Sequence, residues 1–161
     1  MVKQPLAIAM LATFITAIHL AALGQIESGD RDAAVGRDGE VTRYQVLPSV
    51  AAREWRESLG AKVQSPKSKA QSRLPDGWAR DTGLATALAR GIWENRAATF
   101  RVANRRDPML PELYMLWHRP GRVLAPRRRE LARARRFETV AQALTLRDTQ
   151  AEPRPGEQPK L

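Results

Sequence analysis

The chain has 161 residues, 43% of them hydrophobic and 27% charged, enough for one modest core and incompatible with wholesale disorder. It has no cysteine, which excludes disulfides and thiolate metal sites, and its two histidines, His19 and His118, are too few for a zinc site, so neither metal nor cofactor is expected. The net charge of +10 is local: residues 101–147 hold twelve arginines against four acidic residues, a field that attracts polyanions.

In chain order, Lys3 is followed by the apolar run LAIAMLATFITAIHLAALG, the charged start and apolar centre of a secretory signal. The uncharged stretch from Gln4 to Ile26 is also long enough to span a bilayer. His19, Gly24, Gln25 and the Ala/Thr content weigh against a permanent anchor. No convincing small-x-small cleavage site lies where one is expected. Residues 1–13 are therefore read as a signal-like segment of an exported, periplasmic or cell-envelope protein, with membrane association through that segment left open.

Phe14 to Glu27 has helical apolar spacing at Phe14, Ile15, Ile18, Ala22 and Ile26, and Ser28-Gly29-Asp30 stops it. Residues 29–41 form a loop whose Gly36 and Gly39 favour a tight turn or small hairpin. A second helix is expected over roughly Ser49–Leu59, then a polar basic surface loop at 60–77. Asp81-Thr82 caps an amphipathic helix, about Gly83–Asn104, with Leu84, Leu88, Ile92 and Phe100 on one stripe and Trp93 beside it. Pro111-Glu112 opens a short helix that ends in the turn His118-Arg119-Pro120-Gly121. A last helix, about Pro126–Leu146, turns Leu131, Ala134, Phe137, Val140, Ala141 and Leu144 inward and its arginines outward. From Arg147 the Pro- and Gln-rich tail, 147–161, is expected to be disordered. Every well-marked element is a helix, so the fold class is all-α, one domain over 14–146, with at most a small β-hairpin within residues 35–46.

Three blocks resemble the soluble-type lytic transglycosylases, lysozyme-like proteins that cut the glycan strands of peptidoglycan. The first is Ile26-Glu27-Ser28-Gly29 with Asp32-Ala33-Ala34-Val35-Gly36, like the family's helix-terminal Glu-Ser and the small-residue loop after it. The second is Tyr44-Gln45-Val46-Leu47-Pro48, similar to the segment whose Gln lines the sugar cleft. The third is Leu116-Trp117-His118-Arg119-Pro120-Gly121-Arg122-Val123, similar to the family's Ala-Tyr-Asn-Ala-Gly turn; Arg136-Phe137-Glu138-Thr139-Val140 echoes its final helix. The likeness covers about residues 14–146. Departures are His118 for Asn, Trp117 for Tyr, a turn one residue shorter, and Phe137, which lacks the phenol oxygen. The resemblance implies a lysozyme-like fold, Glu27 as a single acid/base, and Ser28, Tyr44, Gln45, Trp117, His118 and Phe137 lining or shaping the substrate cleft.

The chemistry is coherent from below. Breaking a glycosidic bond needs a proton donor at the leaving oxygen while the ring develops oxocarbenium character. Glu27 ends an apolar helix, where such a carboxyl would be partly desolvated. Ordinary hydrolases need a second carboxylate; in the family resembled, the substrate's own 6-hydroxyl attacks instead. Asp30, Asp32, Asp38 and Glu40 lie nearby as undistinguished auxiliaries. Glu27 taken alone is more often a solvated residue beyond a helix than a catalytic one, Tyr114 and Trp117 suit sugar stacking or core packing alike, and the arginines suit a solvated face, wall polymer or phosphate. Two rival functions stand beside peptidoglycan cleavage: a non-catalytic peptidoglycan-binding relative and, disfavoured by the signal-like start, a small nucleic-acid-binding helical protein.

Overall fold

The structure, a computed structural model, describes residues 15–60 and 73–151. The signal-like run at 1–13, most of the 60–77 loop and the tail beyond 151 lie outside the described residues. Five α-helices follow in order: α1 Ala17–Ser28, α2 Pro48–Gly60, α3 Thr82–Asn104, α4 Leu110–His118 and α5 Arg128–Ala151. The described residues contain no β-strand, and the fold is all-α. Two isolated antiparallel bridges, Val35 with Val41 and Val41 with Val46, are all that the expected hairpin amounts to. Among the described residues no helix is long and apolar enough to cross a membrane.

Local chemistry sets the helix ends. Thr16 accepts from the His19 backbone N–H while His19 Nδ1 accepts from that of Thr16, so the first turn starts after Thr16 rather than at Phe14. Gly29, at φ 64°, ends α1, and its N–H bonds the Gln25 carbonyl. Asp81 Oδ1 caps α3 through the Leu84 N–H at 2.9 Å. At the end of the chain the expectation is corrected: α5 runs on to Ala151, where disorder was expected from Arg147. Residues 147–151 contain no Gly or Pro, and Thr149 bonds back to the Thr145 and Leu146 carbonyls, so nothing breaks the helix through Ala151.

α5 packs against both α1 and α4, α3 packs against α2 and α4, and all five share one core. Its centre is aromatic. Trp93 of α3 is fully buried and meets Phe137 of α5, Trp117 of α4 and His19 of α1 edge-on, at centroid distances of 5.7, 5.9 and 6.3 Å. Its indole N–H donates to the Leu113 carbonyl at 2.7 Å, which gives the buried polar atom a partner and pins α4 to α3. Tyr114, also fully buried, stacks on Phe137 at 5.7 Å.

Where α3 passes into α4, a second tie is electrostatic. The buried Glu112 carboxylate accepts from Arg106 Nη1 and Nη2, at 2.7 and 2.6 Å, and from the Met109 backbone N–H at 2.8 Å. These three donors hold the Glu112 carboxyl below its ordinary value, with Arg106 the chief cause. Arg96 of α3 closes the other end of α4 by donating to the Leu116 and Trp117 carbonyls with its guanidinium over the Trp117 ring.

Two outcomes follow for stability. Trp93→Ala should cost about 3–5 kcal/mol, since it empties the aromatic centre and strands the Leu113 carbonyl, and urea unfolding measures it. Glu112→Gln should cost about 1–3 kcal/mol near neutral pH. Because the native carboxyl titrates below 4.5, the folded state holds fewer protons than the unfolded chain there. The Glu112 contribution is thus complete above about pH 4.5 and lost as pH falls below it, so the variant should lose less stability than wild type on acidification. Equal acid slopes in the two proteins would contradict this.

Candidate active site

Glu27 lies in the last turn of α1, half-buried, because Gly29 stops the helix two residues later. Its Oε1 accepts a 2.8 Å hydrogen bond from the Tyr114 hydroxyl of α4. Tyr114 is sandwiched between Phe137 and the His118 ring, which stacks on it at 5.8 Å. Burial, reinforced by the adjacent Glu27 charge, pushes the Tyr114 phenol far above its ordinary range, so the hydroxyl stays protonated and donates throughout the working pH range. The helical spacing of Tyr114 and His118 puts both on the face of α4 that looks toward Glu27.

Glu27 forms part of the wall of a cavity of about 620 Å³, a size typical of small-ligand sites. Facing it are Gln45, the 117–120 turn, Arg133 of α5, and Arg37, Asp38 and Glu40 of the first loop. Val46, Val50 and Ile92 supply an apolar floor. Burial pushes the His118 imidazole below its ordinary 6.5; Glu27 opposes that shift, while Arg133 and Arg119 add to it. The ring is therefore neutral at pH 7, able both to donate and to accept. Among the described residues no cluster of three or more His, Asp or Glu could hold a metal ion.

The loop that carries Gln45 is tightly built. Thr42 and Gln45 both adopt left-handed backbone, φ 73° and 52°, unusual for a β-branched residue and for a glutamine. Val41 and Val46 exchange N–H···O bonds of 2.9 and 2.8 Å across this turn, and Thr42 Oγ1 accepts from the Tyr44 N–H. Gln45 Nε2 donates to the Thr42 carbonyl at 3.0 Å, which fixes the amide against its own turn. Gly36 passes so close that a Cβ there would collide with Gln45 Oε1 and Glu40 Oε2. Glycine is needed at 36 for this approach.

Of the residues expected at the cleft, Glu27, Gln45, Trp117 and His118 line this one cavity. Ser28, Tyr44 and Phe137 do not, and each has a structural reason. Ser28 donates to the Gly24 carbonyl and accepts from the Arg31 N–H, which completes the end of α1. Tyr44 is buried with its hydroxyl 3.1 Å from Thr86 Oγ1, because the left-handed residues on either side turn it toward the core. Phe137 is fully buried beneath Tyr114 and acts on the site only through that ring. Of the nearby carboxylates, Asp38 and Glu40 reach the cavity, whereas Asp32 pairs with Arg43 at 2.7 Å. Trp78 and Trp55 are both half-buried against the core.

The sequence reading missed the Tyr114 hydroxyl as the partner of Glu27 and Arg133 as a residue of the same cavity. Tyr114 looked suited to sugar stacking or core packing, and Arg133 looked like one more solvated arginine. The signal for Tyr114 was its four-residue spacing from His118. Comparison with family models, with curated proteins and with solved structures found no match.

The close approach at Gly36 is testable. Gly36→Ala should leave the melting temperature nearly unchanged, because only side-chain ends must yield. It should displace Gln45 and Glu40 from their positions in the cavity, seen as a shift of the Gln45 side-chain amide resonances. Unshifted Gln45 resonances would show that the contact is not made in solution.

Proposed function

We propose that the protein cleaves the glycan strands of peptidoglycan as a lytic transglycosylase, with Glu27 as its single acid/base and a lysozyme-like arrangement of helices. One observation carries this reading. A carboxylate at a helix end, held by a buried phenol, shares a ligand-sized cavity with Gln45 and the 117–120 turn, the same three blocks on which the sequence resemblance rests.

In this mechanism the Glu27 carboxyl gives its proton to the glycosidic oxygen, the C1–O bond breaks, and the leaving sugar departs as an alcohol. C1 takes up oxocarbenium character. The Glu27 carboxylate then receives the proton of the same sugar's 6-hydroxyl as that oxygen attacks C1, closing an anhydro ring and restoring the acid. Water is not consumed. The Tyr114 hydroxyl keeps Oε1 oriented through both transfers. Gln45 and neutral His118 offer hydrogen bonds to sugar hydroxyls, and Trp117 lines the same wall. Action on peptidoglycan requires a location in the cell envelope, in keeping with the signal-like run at 1–13.

Asp38 and Glu40 at the cavity favour a second reading, hydrolysis, in which one of them supplies the partner carboxylate that ordinary glycosidases use. The products separate the two. Incubation of the purified chain with sacculi should release anhydro-muropeptides, detected by mass spectrometry. Glu27→Gln should lower release by at least about 100-fold while binding persists. Tyr114→Phe, which removes one hydrogen bond to a charged group, should lower kcat about tenfold. Reducing-end products would replace transglycosylation by hydrolysis. No product of either kind, with sacculus binding unaffected by Glu27→Gln, would leave a non-catalytic peptidoglycan binder.

A further inference from the structure

Part of the arginine excess reaches the Glu27 cavity. Arg119 and Arg133 line the cavity itself. Arg122 follows Arg119 in a one-turn 3₁₀ segment, Pro120–Arg122, with its N–H bonded to the Arg119 carbonyl at 2.9 Å. Arg127 lies at the start of α5, where its N–H donates to Glu130 at 2.7 Å. Along α5, Arg129, Arg133 and Arg136 repeat at helical spacing on one stripe, and all three side chains are exposed. The Glu130 carboxyl, pulled down first by the Arg127 N–H, is pulled down further by the charges of Arg122, Arg127 and Arg119, which places these groups around one point.

Among the described residues, none of the six arginines forms an ion pair, whereas Asp107 and Glu112, acidic residues of the same basic region, are taken by Arg101 and Arg106. Glu130 offsets part of this excess; like charges within about 10 Å, the Debye length at 0.1 M salt, otherwise repel one another, which favours a polyanion that neutralises them. Every one is arginine, the side chain whose planar fork pairs two-pronged with carboxylate or phosphate.

We propose that Arg119, Arg122, Arg127, Arg129, Arg133 and Arg136 form an exosite that holds the carboxylate-bearing length of a glycan strand as it leaves the Glu27 cavity. The identity of the polymer rests on reading that cavity as a glycan site; the basic track itself does not. A strand seated in the cavity between Arg119 and Arg133 continues over the turn and α5 without leaving positive potential. The site thereby selects acidic, substituted strands over neutral polysaccharide and keeps the protein on its polymer between cleavage events.

The test is binding, measured in a Glu27→Gln background so that turnover plays no part. Co-sedimentation with purified sacculi across a range of NaCl compares that protein with a triple variant, Arg122→Gln, Arg127→Gln and Arg129→Gln, none of which lines the cavity. A control removes three exposed arginines elsewhere, Arg53→Gln, Arg56→Gln and Arg80→Gln. The exosite variant should bind about tenfold or more weakly at 0.1 M salt, with a shallower dependence of log K on log salt, and the control should change by less than about twofold. Equal losses in the two variants, or no sacculus binding by the parent, would overturn the exosite. Tighter binding of a short DNA duplex than of sacculi, lost in the exosite variant, would overturn its assignment to glycan. Because cleavage is read separately from anhydro products, failure of either idea leaves the other standing on its own data.

Discussion

The structure depends on the burial of Trp93. Its indole occupies the place where α1, α3, α4 and α5 meet, and its one polar atom is spent on the Leu113 carbonyl. That bond sets the height of α4 against α3, and Tyr114 is the next residue along. Its ring has one place to go, between Phe137 and His118, and its hydroxyl then arrives at Glu27. The position of the candidate acid/base partner is thus a consequence of core packing, one residue removed from the central hydrogen bond. A phenol held by rings on both faces loses little side-chain freedom when it binds a carboxylate, which is the condition for an oriented proton donor.

Around this centre the buried charges are each matched in a different way. Glu112 is satisfied by three N–H donors that hold its carboxyl below the ordinary value. Glu54, buried against α3, accepts from Asn95 Nδ2 on both oxygens, yet burial, with the neighbouring Glu57 charge adding to it, raises its carboxyl above the ordinary value. Arg96 lies between a polar cavity and an apolar one of about 470 Å³, and both are lined by it and Pro120. Its guanidinium is committed to the end of α4, so it acts as a partition rather than as a free cation in either space.

How far this was legible in the sequence depended on the range of the interactions. Short-range chemistry read well: Gly29 as a stop, Asp81 as a cap, the Gly36–Gly39 turn and the apolar stripe of α3 each depend on neighbours within a few residues. The end of α5 was misjudged because composition was allowed to speak before its first true breaker, Pro153. Tyr44 was misplaced for a related reason. Two left-handed residues beside it, Thr42 and Gln45, are neither glycine nor asparagine, so the turn that buries the ring has no sequence signature. Gln45 and Glu27, eighteen positions apart, do line one cavity, but the Tyr114 hydroxyl, which reaches Glu27 from 87 residues away, and Arg133 of α5, which lines the same cavity, follow from helix packing that no local pattern encodes.

Packing decides which ring offers an oxygen to Glu27. A phenylalanine in α5 leaves that helix without a hydroxyl to offer, which taken alone weakens the case for an organised carboxylate. Phe137 is instead the platform on which Tyr114 stacks, and the oxygen reaches Glu27 from α4. An apolar ring suits that role better than a phenol would, because a hydroxyl buried at 137 would need its own partner within a fully enclosed aromatic centre. His118 closes the other face of Tyr114 and, neutral at pH 7, adds no charge that would compete for the Glu27 carboxylate. His118 and Phe137 therefore form one arrangement with Tyr114. Their rings hold a single donor, the Tyr114 hydroxyl, against the Glu27 carboxylate.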